Sequence, residues 1–582
     1  MAVLISAGLA SVADADDEFP ARPEEDLPAR VGRIADVAVQ LYLSMADRPD
    51  DWMPVGVNHP VTSGDNLWVS SDGRAEIDYG DGQLRLAGDT NVHVARLDDH
   101  QLTLFVARGR LIVRVRVLDV ADVAQIDTPN THVALMRPGL YRIEVAADGS
   151  TTKVGVREGE SLVALASGSQ QALPGQMVTV SGIESVAADV RNGFGIDGFD
   201  TWSANRDRYY EHAKATPYVS RQMVGVSDLD QYGSWEDNPT YGPVWYPTVV
   251  TPDWAPYRDG YWTDVGAWGL TWVDAALWGY APSHYGRWVH VHGRWGWCPG
   301  PRVRRPHWAP ALVGWYGGAS WGITANGGEP VYAWVPLGWG DAYTPWWRGC
   351  SQSCWNRYNK PFGVDPAART NARPRYSYLD FPGAMTAVPG ATLAGRKPVR
   401  STRVPLPASQ LSSAPLLATP PNVVSRAAGG QAFRPGERGT PTPASALYSH
   451  TRRATIALPV SAPTASPIAA PSPVIAPNEI ARAAARLPPV SAPALSVPAP
   501  NRAGAARETR APPTAMPMPM PVKAGSAPST HVVAVPAVVP SGITLPALGV
   551  ALPQTRAPTV APPVHAAAGA AVPVLPAAGA PR

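Results

Sequence analysis

The chain has 582 residues, 45% of them hydrophobic and 16% charged. That is more than one hydrophobic core organises, so several folding units are expected. A formal charge of +2 excludes a uniformly basic nucleic-acid binder. The charge is split, however: residues 401–582 carry 14 Lys and Arg against three acids, a balance of +11, which leaves −9 on the first 400.

At the front, Val3 to Val12 is a short apolar run, and Ala13-Asp14-Ala15 has the small-x-small form of a cleavage site. A basic leader is lacking. Residues 1–15 are therefore expected to be a truncated secretory signal, and residues 16–30 an acidic, Pro-containing linker. No other run approaches the roughly 20 apolar residues of a membrane-crossing helix, so none is expected.

From residue 31 to about 185 apolar residues alternate with polar ones between turn signals, which predicts strands. Ala75, Ile77 and Tyr79 alternate with Arg74, Glu76 and Asp78 before a turn at Asp81-Gly82. Leu111, Val113, Val115 and Val117 share one face; Arg110, Arg114 and Arg116 share the other, which reads as a solvated strand face. Tyr141 to Val145 runs into a turn at Asp148-Gly149. Thr62-Ser63-Gly64-Asp65, Ala107-Arg108-Gly109-Arg110-Leu111, Ile126-Asp127-Thr128-Pro129-Asn130 and Val156-Arg157-Glu158-Gly159-Glu160 follow in an order that resembles the FecR-like domain. The resemblance implies an all-β domain over 31–185, a cell-envelope location and, as one alternative, a sensory or regulatory role. FecR-like regulators carry an anti-sigma segment before the domain and a membrane helix; neither is expected from the residues of this sequence.

Residues 196–216 place Phe199, Trp202, Arg206, Tyr209, Tyr210 and Ala213 near helical spacing, with Pro217 as a stop. One linking helix is expected, with its aromatics as core contacts.

Residues 217–395 hold 18 of the 21 tryptophans. A phrase recurs there: aromatic-Ala-Pro, three residues, Gly, one residue, aromatic. It starts at Trp254, Tyr280 and Trp308, with a weaker copy at Trp334, so the starts are 26, 28 and 26 residues apart. Such a period marks one small unit used repeatedly, here one or two short strands whose large aromatics bury one another. A β-meander or small barrel-like array is expected. Tyr218-Val219-Ser220, Tyr241-Gly242-Pro243-Val244-Trp245-Tyr246-Pro247, Trp334-Val335-Pro336-Leu337 and Pro345-Trp346-Trp347 resemble an uncharacterised Trp-rich family that follows FecR-like domains in envelope proteins. That resemblance implies no biochemical role.

Residues 396–582 are dominated by Pro and Ala; Pro supplies 35 of the last 182 residues. Such a composition cannot bury enough apolar surface to offset its ordering entropy, so a disordered, basic tail is expected, suited to an anionic polymer. The fold class is thus mainly β: a FecR-like domain, a linking helix, a Trp-rich repeat region and a disordered tail.

The chemistry legible in the sequence is that of binding. Indole faces stack on sugar rings, and arginines donate to anionic groups. Trp262, Trp272, Trp288 and Trp295, with Arg287 and Arg294 of the repeated Gly-Arg-Trp phrase, are the candidate ligand-binding residues. The competing reading is that most tryptophans are core. His290 and His292 share a strand face near His284, His307 and Cys298, but no third metal ligand stands at a dictated spacing. Cys350 and Cys354 either pair in an oxidising compartment, leaving Cys298 odd, or all three are plain thiols. Asp253, Asp259, Asp264 and Asp274 offer carboxylates for glycoside hydrolysis, but no spacing selects two of them. No nucleophile elbow, phosphate loop or zinc-protease helix occurs. The expectation is a periplasmic or secreted, non-enzymatic binding or scaffold protein without cofactor, holding an envelope polysaccharide or an envelope protein; a glycan-active enzyme is the further alternative.

Overall fold

The computed structural model describes residues 26–422, except 326, 348–349 and 371–373, together with 443–448. All of these fall in one compact unit, Met1–Ser466. The expected signal remnant, the first part of the linker, and the rest of the tail lie outside the described residues. The fold is mainly β, as the alternation predicts.

The first region is two antiparallel-dominated sheets sharing one strand. Gln101–Val115 pairs through its first half with Asn91–Leu97 and, in parallel, with Val123–Asp127. Its second half pairs with Gly82–Ala87 and Gly139–Val145 in the other sheet. The change of sheet comes at Gly109, at φ +103°, where a Cβ would lie 2.4 Å from Thr90 Cα. Only glycine accepts both the dihedral and the contact. Between the sheets lies an aliphatic core that includes Ile34, Leu43, Ile77, Leu111, Val113, Val154 and Val178. The alternation correctly selects this face.

The opposite face is not solvated. Helix α1, Gly198–Glu211, lies across it, capped by Asp197, whose side chain accepts from the backbone N–H groups of Phe199 and Asp200. The helix is shorter than expected and ends before Pro217. Its buried residues are Ser203 and Asp207, whereas Phe199, Trp202, Tyr209 and Tyr210 are half-buried. The expected aromatic core contact is thus replaced by charge. Arg85, fully buried, donates to Glu76 at 2.8 Å, Ser203 at 2.7 Å and Asp207 at 2.9 Å. Asp207 also accepts from Arg114 at 2.7 Å and Arg116 at 3.0 Å, while Arg142 holds Asp197 at 2.8 Å. The arginine face is therefore a docking surface for α1. Its aromatics sit beside guanidinium groups, as Trp202 does beside Arg74 at 5.0 Å.

The Trp-rich region is built from hairpins: Gly233–Asn238 with Gly242–Pro247, Gly260–Val265 with Gly269–Asp274, Arg287–Val291 with Arg294–Cys298, and Val313–Gly317 with Val331–Pro336. Each places two tryptophans directly opposite one another: Trp235 and Trp245, Trp262 and Trp272, Trp288 and Trp297, Trp315 and Trp334. The weak fourth copy of the phrase is thus the return strand of the last of these hairpins, the one that the third copy opens. The hairpins divide among small sheets and, among the described residues, do not close into a barrel.

The two β regions pack together. Tyr280 Oη donates to Gly32 O at 3.1 Å, and Asn58 Nδ2 to Asp274 O at 2.9 Å and Ala276 O at 2.7 Å. Val31, ahead of the first strand, is part of the aromatic core. Order also extends past residue 395. Val399 is fully buried, Leu416–Leu417 pairs with Trp315 and Tyr316, and Ser445 N donates to Asn66 Oδ1 at 2.8 Å.

Candidate functional site

The repeat explains why so many indoles are inside. Trp262, Trp272 and Trp334 are fully buried and Trp315 nearly so. Ring centroids lie 4.5 Å apart for Trp262–Trp315 and 5.2 Å for Trp262–Trp334. Tilted and edge-to-face contacts of this kind add to burial. Several indole N–H groups reach carbonyls: Trp297 donates to Tyr285 O at 2.8 Å and Trp334 to Tyr257 O at 2.9 Å. The slot four residues after the phrase start holds Arg258, His284 and Leu312 in turn, and all three are buried.

The six candidate ligand residues separate accordingly. Trp262, Trp272, Trp288 and Arg287 are at most 2% exposed in the free chain. Trp295 is half-buried. Arg294 is exposed, pairs with Glu236 at 3.0 Å and lies over the Tyr246 ring.

Trp295 stands in a cleft of about 440 Å³. One wall is aromatic: Trp254, His290, Trp295 and Phe381, with His290 and Phe381 centroids 4.5 Å apart and Trp295 edge-on to both. Val404, Pro405, Leu406 and Leu411, from the segment expected to be tail, form another. Asp253, Arg258 and Arg403 supply charge. Arg258 is 4% exposed and donates to Thr386 Oγ1 at 3.3 Å and to the backbone oxygens of Asp253, Gly383 and Met385. Burial, with Arg403 nearby, pulls its pKa down to about 10, so it remains a cation at neutral pH. The cleft therefore joins stackable rings to a fixed donor. Arg258, Phe381 and the 403–411 wall carried no site signal in the sequence; the one available clue was a charged residue in a slot that the other copies fill with His and Leu.

The other candidate groups are not assembled. His292 occupies the hairpin turn at φ 49° and is exposed, away from His290. His284 stacks on Trp308 at 4.7 Å and bonds through Nδ1 to Ala309 O at 2.7 Å. Among the described residues no three His, Cys, Asp or Glu side chains form a metal-holding group. Arg400 ties Asp253 at 3.4 Å to Asp259 at 2.8 Å, while Asp274 accepts from Trp272 Nε1 at 2.9 Å and Asp264 faces Arg48 at 3.6 Å. Cys350 and Cys354 form a disulfide at the start of helix Gln352–Asn359, and Cys298 is a buried free thiol.

Residues 226–341 match a family of unknown function, DUF6600. No curated protein matches the chain. Two solved crystal structures of an anti-sigma-factor candidate from Parabacteroides distasonis ATCC 8503 are similar to parts of it. One shows 14% identity over 22% of this chain and 59% of that one, with a TM-score of 0.20. The other shows 12% identity over 32% of this chain and 99% of that one, also with a TM-score of 0.20. This chain thus spans little more than half of the first, and likeness at this level does not bear on function.

Proposed function

We propose that this is a non-enzymatic binding protein of the cell envelope, periplasmic or secreted, whose Trp-rich region holds an envelope polysaccharide in the cleft around Trp295. The observation carrying this reading is the aromatic wall of Trp254, His290, Trp295 and Phe381 beside the buried Arg258. Stackable rings with few fixed donors suit sugar rings. Binding is favoured over hydrolysis because Asp253 and Asp259 are both engaged by Arg400. The Cys350–Cys354 disulfide fits an oxidising compartment. In this reading the basic tail adds attraction to an anionic polymer, weakened by salt. The FecR-like resemblance of residues 31–185 supports a second reading, a sensory or regulatory envelope protein.

The test is co-sedimentation of the full chain with cell-wall sacculi and with neutral polysaccharides, at low and high salt. Pelleting that survives high salt and is lost in W295A, with the circular dichroism spectrum unchanged, is expected. Salt-resistant pelleting that W295A leaves intact would remove the cleft from the account. A transcriptional response lost on deletion of the protein, without an envelope defect, would favour the second reading.

A further inference from the structure

A second cavity, of about 250 Å³, lies apart from the cleft, under the loop that carries Pro299, Pro301, Val303 and Pro306. Met223, Tyr285, Leu312 and Phe362 complete a mostly apolar lining. Two guanidinium groups interrupt it. Arg287 is 1% exposed, and its partners are all neutral: Asp341 O at 3.3 Å, Gly286 O at 2.9 Å, Tyr358 O at 3.0 Å and Asn359 Oδ1 at 3.4 Å. A guanidinium has five N–H groups, so one on Nη1 is left without an acceptor among the described residues. No carboxylate of the described residues comes within ion-pair distance of Arg287. The Asp341 carboxylate acts on Arg287 through space, but it makes no ion pair with it and is turned to Gly338 N at 2.7 Å and Ser377 Oγ at 2.7 Å. The second cation, Arg357, pairs through Nη2 with Asp26 at 2.6 Å, but its buried Nε–H has no partner among the described residues.

A buried charge ordinarily meets an opposite charge, because desolvation is costly otherwise. Here the compensation is indirect: the Asp341 charge at longer range and the Phe362 ring, whose centroid is 4.4 Å from the Arg287 guanidinium carbon. Burial draws the Arg287 pKa down to about 10, which still leaves it charged at neutral pH. The missing component is an anion in hydrogen-bond contact with Arg287, attached to an apolar body small enough for the cavity.

We propose that this cavity is a ligand site for a small monocarboxylate with an apolar chain, its carboxylate accepting from Arg287 and Arg357 and its chain lying against Met223, Leu312 and Phe362. One charge-assisted N–H from each of the two guanidinium groups favours a carboxylate, whose two oxygens can accept both, and the volume limits the chain to medium length. The site is independent of the polysaccharide cleft. The ligand is a free acid, because an acyl chain esterified in a lipid has no carboxylate to meet the two guanidinium groups.

The test is titration calorimetry on the full chain with octanoate, and with octan-1-ol as the uncharged analogue, below the micellar range. Saturable octanoate binding is expected, with octan-1-ol at least about tenfold weaker for want of the charge-assisted bonds. V303W places bulk at the mouth, where Val303 is 42% exposed, and is expected to abolish octanoate binding while the protein stays folded. R287Q is expected to bring octanoate down to the level of octan-1-ol. Equal affinity for acid and alcohol, octanoate binding that V303W leaves intact, or the absence of saturable binding would each overturn the proposal.

Discussion

The two β regions solve the same packing problem with different materials. The first places Ile, Leu and Val between two sheets and covers one outer face with a helix held by ion pairs. The second has short hairpins, too small to enclose an aliphatic layer, and fills the space between them with registered tryptophan pairs. Aliphatic cores need only volume and alternation. An indole core brings a polar N–H to each ring, and those of Trp262 and Trp315 have no hydrogen-bond acceptor among the described residues. Large aromatic area is gained at the cost of unsatisfied donors, so ring-to-ring contact has to compensate.

The sharpest way to break this contrast is to remove one ring at the centre of the aromatic core. Trp262 touches Trp272, Trp315 and Trp334. W262A is expected to cost about 4 kcal/mol, read from urea denaturation, because the cavity cannot collapse among rigid rings. W295A, at the half-buried edge, is expected to stay within about 1 kcal/mol of the parent. Equal losses would show that both rings are core and would count against the cleft.

The second prediction concerns the charged seam of the first region. Asp207 receives Arg85, Arg114 and Arg116. D207A leaves the fully buried Arg85 with Glu76 as its one remaining carboxylate partner, and three cations converge on the vacated place. About 3 kcal/mol is expected to be lost, with α1 exchanging its amide protons faster than the sheet. A loss below about 1 kcal/mol would mean that the seam behaves as a surface ion pair.

What the sequence revealed differs between these regions for physical reasons. Alternation exposed the inward face of Leu111, Val113 and Val115 because side-chain direction along a strand is local. It could not show what covers Arg114 and Arg116, since charges on a strand look the same opposite water or opposite Asp207. The 26-residue phrase located the hairpins, yet the pairing of Trp315 with Trp334 is a register, and register is set between strands. Hence the period alone does not distinguish the fourth copy from a new unit. The Gly-Arg-Trp phrase marks Trp295, but the same phrase at Trp288 is buried, so the motif alone does not separate site from core. Arg258 and Phe381 escaped because they meet only in the fold. The 396–422 segment escaped because composition hides a few long-range contacts, such as Leu417 against Trp315.

The smallest expected effect is one of slope. Each region buries a neutral histidine: His59 bonds through Nδ1 to Pro60 O at 2.8 Å, and His284 through Nδ1 to Ala309 O at 2.7 Å. Burial pulls both pKa values down to about 3, with the charge of Arg396 adding to the effect at His59. An unfolded histidine takes up its proton near pH 6.5. Between that value and about 3 the unfolded chain therefore binds a proton that the folded chain refuses, and stability is lost as pH falls through this window. Each such histidine contributes a slope of about 1.4 kcal/mol per pH unit. Asp65 and Asp274 act in the opposite sense: burial pushes both up to about 7, so their folded forms keep protons as pH rises from about 4. The net profile blends these terms, and the informative quantity is a difference between variant and parent. H284Q is expected to flatten the acid limb by one histidine's slope between pH 6 and 4.5, measured by urea midpoints. If the limb is unchanged, His284 is protonated in the folded state, and its stacking on Trp308 would then be a cation–π contact, with the aromatic core admitting charge much as the seam under α1 does.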